Sequence, residues 1–284
     1  MRAQTNRGAV NRAIPKLVDA ASANIITTPS PSPLKFFLLV FALSVPFWLL
    51  GAAIERQLLP GLPMSALALF CPVTAAAILV HRQHGTAGVI RLLKRAFDYQ
   101  RITARAWYAP ILLLTPGSMV LSYWLMREMG MLLPPPQFSV LTALVLLLGL
   151  IVGAAAEELG WSGYIIDPMQ ERWTALQASV LLGLVWAVWH IVPLVQAERT
   201  PLWIVAWALS TVAQRVLIVW IYNNTGKSVF AAILFHAMSN LGWQLFPDHG
   251  SHFDPRITGL ILAVAAAVVT ALWGPRTLAR YRRA

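Results

Sequence analysis

The chain has 284 residues, of which 58% are apolar and only 12% charged, where a typical soluble domain carries about 25% charged residues. A soluble fold of this size could not hide that much apolar surface, so part of the solvent must be lipid. A net charge of +11 would suggest nucleic acid in a soluble chain. Here the basic residues lie between apolar runs, the pattern of cytoplasmic loops and anionic lipid contact, so no nucleic-acid partner is expected.

In chain order, residues 1–33 are polar and basic, with Arg2, Arg7, Arg12 and Lys16 preceding Asp19. They hold no apolar core of the length a cleaved signal needs, and they read as a disordered cytoplasmic tail. Residues 34–284 read as a single transmembrane domain. Eight apolar segments follow, near 36–54, 62–80, 107–126, 139–166, 178–197, 202–222, 229–246 and 257–274. Each is about long enough to cross a ~30 Å hydrocarbon core. The fold class expected is therefore all-α, a polytopic membrane bundle of about eight helices. Cys71 is the single cysteine, so no intrachain disulfide can form.

Charge sets an orientation. The interval 81–105, read as a loop, carries Arg82, Arg91, Lys94, Arg95, Arg101 and Arg105 against Asp98 alone. The head, with Lys35, and the tail, with Arg276, Arg280, Arg282 and Arg283, are also basic. With eight spans all three clusters share one side, which the positive-inside rule makes cytoplasmic. A multi-pass protein of the cell membrane with both termini in the cytoplasm is expected.

Ionisable groups inside spans are costly and usually mark function. This chain gathers them in its second half: Glu157 and Glu158 after VLLLGLIVGAAA, His190 in GLVWAVWHIVPL, Arg215, then His236 and Asn240 in AAILFHAMSN. At 1.5 Å per residue, Glu157 and His236 each lie roughly 13 Å from the basic end of their helices, and His190 falls at mid-membrane. A carboxylate and an imidazole at one depth can activate water as a general base. A second imidazole with an amide can stabilise an oxyanion. Alternatively, two His and a Glu can bind a divalent metal such as zinc that activates the water. Both routes lead to hydrolysis of an amide or ester. Trp186 and Trp189 read as packing or interface aromatics.

AEELGWSGYIIDPMQ (156–170), WAVWH (186–190) and HAMSN (236–240) together resemble the three motifs of the CPBP intramembrane protease family, which includes the CAAX prenyl endopeptidases, relatives of the Ras-converting enzyme, and many bacterial Abi-type proteins. The motifs are Glu-Glu-x-x-x-Arg, aromatic-x-x-x-His and His-x-x-x-Asn. The resemblance spans roughly 140–245, the expected protease-like core. It implies that Glu157 and His190 activate the hydrolytic water, that His236 and Asn240 stabilise the oxyanion, and that Glu158 supports them. The family is named for metalloprotease activity, and a metal-free glutamate mechanism fits the same residues. One position departs from the pattern: Ser162 stands where the family has Arg. Arg215 is the candidate to supply the absent charge, a snorkelling side chain being the alternative.

The function expected is an endopeptidase acting in or near the membrane on a peptide or protein substrate reached from the membrane or the cytoplasm. The alternative is a catalytically decayed member of the same fold that binds a peptide or confers immunity. A transporter would need polar residues strung from face to face, whereas these gather at one level.

Overall fold

The computed structural model describes residues 30–54, 56–59, 61–247 and 250–280. The expected tail lies in 1–29, outside the described residues, as do Arg282 and Arg283. Among the described residues there are eight long helices: α1 Pro33–Ala53, α2 Cys71–Lys94, α3 Tyr108–Glu128, α4 Val140–Gly160, α5 Ala175–Gln196, α6 Pro201–Asn224, α7 Val229–Leu245 and α8 Pro255–Trp273. A two-stranded hairpin, β1 Gln57–Leu59 with β2 Leu62–Pro63, and a 3-10 segment Met64–Phe70 join α1 to α2.

Seven of these helical stretches are long and apolar enough to cross a membrane, while α7, with 17 residues, is shorter. At 1.5 Å per residue α7 extends about 26 Å, at the lower edge of a spanning length. The chain is thus a polytopic helical bundle. One expectation needs correction. The interval 81–105 is not a loop: α2 continues through it to Lys94, broken only at Gly85, whose φ is +62°. Basic charge keeps that segment out of lipid but does not oppose helix; Arg, Leu and Lys are good helix formers, and glycine alone takes the left-handed backbone easily.

Helix starts are written in the sequence. Ser139, Thr174, Thr200, Ser228 and Asp254 each accept a backbone N–H at the first turn of α4, α5, α6, α7 and α8, satisfying donors that the helix cannot pair itself. The core forms around α6, which packs between α5 and α8, and around α7, which packs on α3 and α4. Two glycines permit close crossings. A Cβ at Gly183 of α5 would lie 2.9 Å from the Val212 backbone of α6, and one at Gly160 would lie 2.6 Å from the Pro72 carbonyl.

The two ends of the bundle differ. At one end Arg95 donates to the Gly163 carbonyl (2.5 Å), the Tyr222 hydroxyl (2.9 Å) and the Lys227 carbonyl (3.0 Å). Lys227 pairs with Asp167 at 3.0 Å, and Asp98 accepts from Ser228 and the Phe230 N–H at the start of α7. This end, which carries Arg91, Lys94, Arg101, Arg276 and Arg280, is tied shut. The other end carries the 57–63 hairpin and the connections near 130, 199 and 250, and Leu58, Leu62, Ala197 and Phe253 there line an interior cavity.

Candidate active site

In α4, Val145, Gly149, Gly153 and Glu157 follow at four-residue intervals and so lie along one face. Exposure falls along that row: Val145 is 61% exposed and Glu157 only 7%. The row floors a cavity of about 460 Å³, lined also by the hairpin and the 3-10 segment, the second half of α5, the first half of α6 and the second half of α7. Two glycines in the row leave space where larger side chains would fill it. The lining is mostly apolar, with Ser65, Ser210, Gln214 and Gln244 among its polar members.

Glu157, His190, His236 and Asn240 all line this cavity. Glu157 Oε2 accepts the indole N–H of Trp186 at 2.7 Å and that of Trp161 at 3.4 Å. His190 places Nδ1 2.9 Å from the Trp186 carbonyl; since a carbonyl can only accept, Nδ1 carries the proton and a neutral His190 presents its Nε2 lone pair to the cavity. His236 turns Nδ1 to Glu158 Oε1 at 3.0 Å, again leaving Nε2 for the cavity. Asn240 lies one turn beyond His236, on the same face of α7.

Glu158 is not among the cavity-lining residues. It is fully buried and is held from three sides: by His236 at Oε1, by Arg215 Nη1 at 2.9 Å on Oε2, and by the Ser162 hydroxyl, which donates to the same oxygen. Arg215 is also fully buried, with its guanidinium 4.2 Å from the Trp186 ring centre. Arg215 of α6 therefore touches both halves of the site, Glu158 directly and Glu157 through Trp186. Ser162 falls in a π-helical turn, Trp161–Ile165, that directly follows α4; such turns recur at functional sites.

Sequence reasoning underread Trp186. Its N–H is the shortest contact to Glu157, and the signal was its position four residues before His190, which puts both on one helix face. Trp189 is packing in the expected sense, its N–H bonded to Ser44 of α1 at 2.7 Å.

Among the described residues no three His, Cys, Asp or Glu side chains are placed to hold a metal ion. Glu157 Oε2 and His236 Nδ1 are already engaged by protein partners.

Fold and site together define a polytopic membrane protein with a buried acid–imidazole–amide centre facing a mostly apolar cavity. Residues 139–242, the stretch that carries this centre, match the model of the Rce1-like, type II CAAX prenyl endopeptidase family. A protein of Methanococcus maripaludis, CAAX prenyl protease 2, is 28% identical over 271 residues, covering 86% of this chain and 96% of its own length. By these matches the stretch that carries the centre is similar to the Rce1-like endopeptidase domain, and most of the chain is similar to a CAAX prenyl protease.

Proposed function

We propose that this chain is an intramembrane endopeptidase that hydrolyses a peptide bond beside an apolar segment or lipid group, with Glu157 as general base. The observation that supports this most directly is that Glu157, His190, His236 and Asn240 all line one mostly apolar cavity. The Trp186 N–H fixes one Glu157 oxygen and leaves the other to take a proton from a water held against His190 Nε2. The water oxygen attacks the scissile carbonyl carbon, and the abstracted proton passes to the departing amine. Charge that develops on the carbonyl oxygen meets the Asn240 amide and, in its imidazolium form, the Nε2–H of His236. Glu158 and Arg215 position this machinery without touching the reacting atoms, and Arg215 takes the place of the arginine absent at Ser162. The name of the archaeal relative supports a prenylated peptide as one substrate class.

The test is cleavage of lipidated and plain peptides by protein purified in detergent. Glu157→Ala and His190→Ala should each lower turnover by about 10²–10⁴-fold, and a chelator should leave the wild type unchanged. Ser162 favours a second reading, a non-catalytic peptide binder of the same fold. Absence of cleavage by a folded wild type that still binds the peptides would select it.

A further inference from the structure

The cavity is lined unevenly. The hairpin and α4 supply Leu58, Leu59, Leu62, Leu146 and Leu150, whereas α6 and α7 supply Ser210, Gln214, Ser239, Asn240 and Gln244. Three of the latter are carboxamides, and none of the three has a hydrogen-bond partner among the described residues. Gln244 is only 6% exposed. Burying such a group unpaired is costly, and buried amides are almost always bonded. The fold therefore keeps donors and acceptors on this wall that it does not itself use. On α7, His236, Asn240 and Gln244 follow at four-residue intervals and share one helix face. Four residues of helix rise about 6 Å. An extended peptide advances about 6.6 Å in two residues, after which its N–H and C=O point the same way again. The two repeats nearly coincide.

We propose that Gln244 binds the substrate's main chain: the substrate lies as an extended peptide along α7, with its scissile carbonyl at Asn240 and the residue two places along bonded to Gln244. One carboxamide serves both groups of that residue, since Oε1 accepts its N–H and Nε2 donates to its C=O. Recognition of this kind reads the backbone and not particular side chains. It also requires the bound segment to be a strand, because the N–H and C=O groups inside a helix are already paired with each other. The ligand class is an extended peptide bearing apolar groups, which the leucine-lined wall takes. This deepens the peptidase reading, which sets the scissile carbonyl beside Glu157; Gln244 acts on binding and not on the reacting atoms.

The test reads binding in detergent, with hydrolysis switched off by Glu157→Gln. The probe is a fluorescein-labelled octapeptide with one S-farnesylated cysteine to fix its register. In its analogues one backbone amide at a time is replaced by an ester, which deletes a single N–H. In the Glu157→Gln protein, the ester at the position facing Gln244 should weaken binding roughly three- to tenfold. Adding Gln244→Leu should weaken the all-amide peptide by a similar factor and leave that ester less than about twofold worse than the amide, the coupling expected of two groups in contact. Gln244→Met replaces the leucine variant if that one fails to fold. Unchanged binding of the all-amide peptide overturns the proposal. So does a Gln244→Leu effect that multiplies with every ester alike, since Gln244 would then hold water or its own neighbours. Cleavage is not read, so coupling found in a protein whose wild type cuts no peptide keeps the backbone subsite and fails the peptidase reading.

Discussion

Glu158 has no exposed surface, and its two oxygens are divided among His236, Arg215 and Ser162. A carboxylate so buried needs compensating charge, because removing one member of a buried pair strands the other, at a cost of about 3–5 kcal/mol. Arg215→Met should therefore unfold well below the wild type in detergent thermal scans. Ser162 and Arg215 reach the same carboxylate oxygen, so an arginine at 162 would put its guanidinium where that of Arg215 had been. Ser162→Arg combined with Arg215→Met should thus recover most of the lost stability. A double variant no more stable than Arg215→Met would show that Arg215 acts otherwise than by neutralising Glu158. Trp186 allows a narrower test. Phenylalanine there keeps an aromatic ring beneath Arg215 and beside His236, 5.1 Å away, but removes the N–H on Glu157. A hydrogen bond to a charged group is worth about 1.5–3 kcal/mol, so kcat/KM should fall roughly 10–100-fold with little change in melting temperature. The carboxylate and histidines were legible in the sequence because ionisable residues in apolar runs stand out against their surroundings. Trp186 was not, because a tryptophan in a membrane helix carries the same letter whether it packs or donates.

Helix existence could be read closely from the apolar runs, and helix ends less so. The second span ran past its expected end at 80 because polar residues leave lipid without leaving the helix, and only Gly85 interrupts it. What apolar patterning could not give is which helices touch. Gly183 decides one such crossing: any Cβ there meets the backbone of α6 at Val212, close to Arg215. Gly183→Ala should destabilise by about 1–3 kcal/mol through overpacking, measurable as a lower midpoint of thermal aggregation. At the hairpin end, Asp254 caps α8 and accepts from the Arg256 guanidinium, which holds its carboxyl below the ordinary value. A depressed folded-state value gives stability that is present above the unfolded value and lost as pH falls through the folded one. Asp254→Ala should accordingly cost about 1 kcal/mol at neutral pH, and its deficit against the wild type should shrink below about pH 4.

At the scale of the molecule, counting rise per residue placed three helices' polar groups at one level, and the fold puts those groups on one cavity. The shape of that cavity lay beyond such counting. Depth along an axis says nothing of which neighbours stand aside, and here the space is made by small residues on α4 together with the hairpin between α1 and α2. Gly149 borders that space, and a Cβ added there would meet nothing within 4 Å, so a large side chain should leave the fold intact while filling the path to Glu157. Gly149→Trp should then discriminate among substrates. A lipidated peptide needs room for its apolar chain, and losing burial of about two methylenes, at ~0.8 kcal/mol each, lowers its kcat/KM by about tenfold. A short plain peptide that reaches Glu157 from the hairpin end should change less than about twofold, since it makes no use of the α4 row. An equal loss for both peptides would place the lipid elsewhere and reduce the glycine row to a packing feature. A loss confined to the lipidated peptide would show that this row, descending from the bilayer to a buried carboxylate, is the track along which the apolar part of the substrate lies.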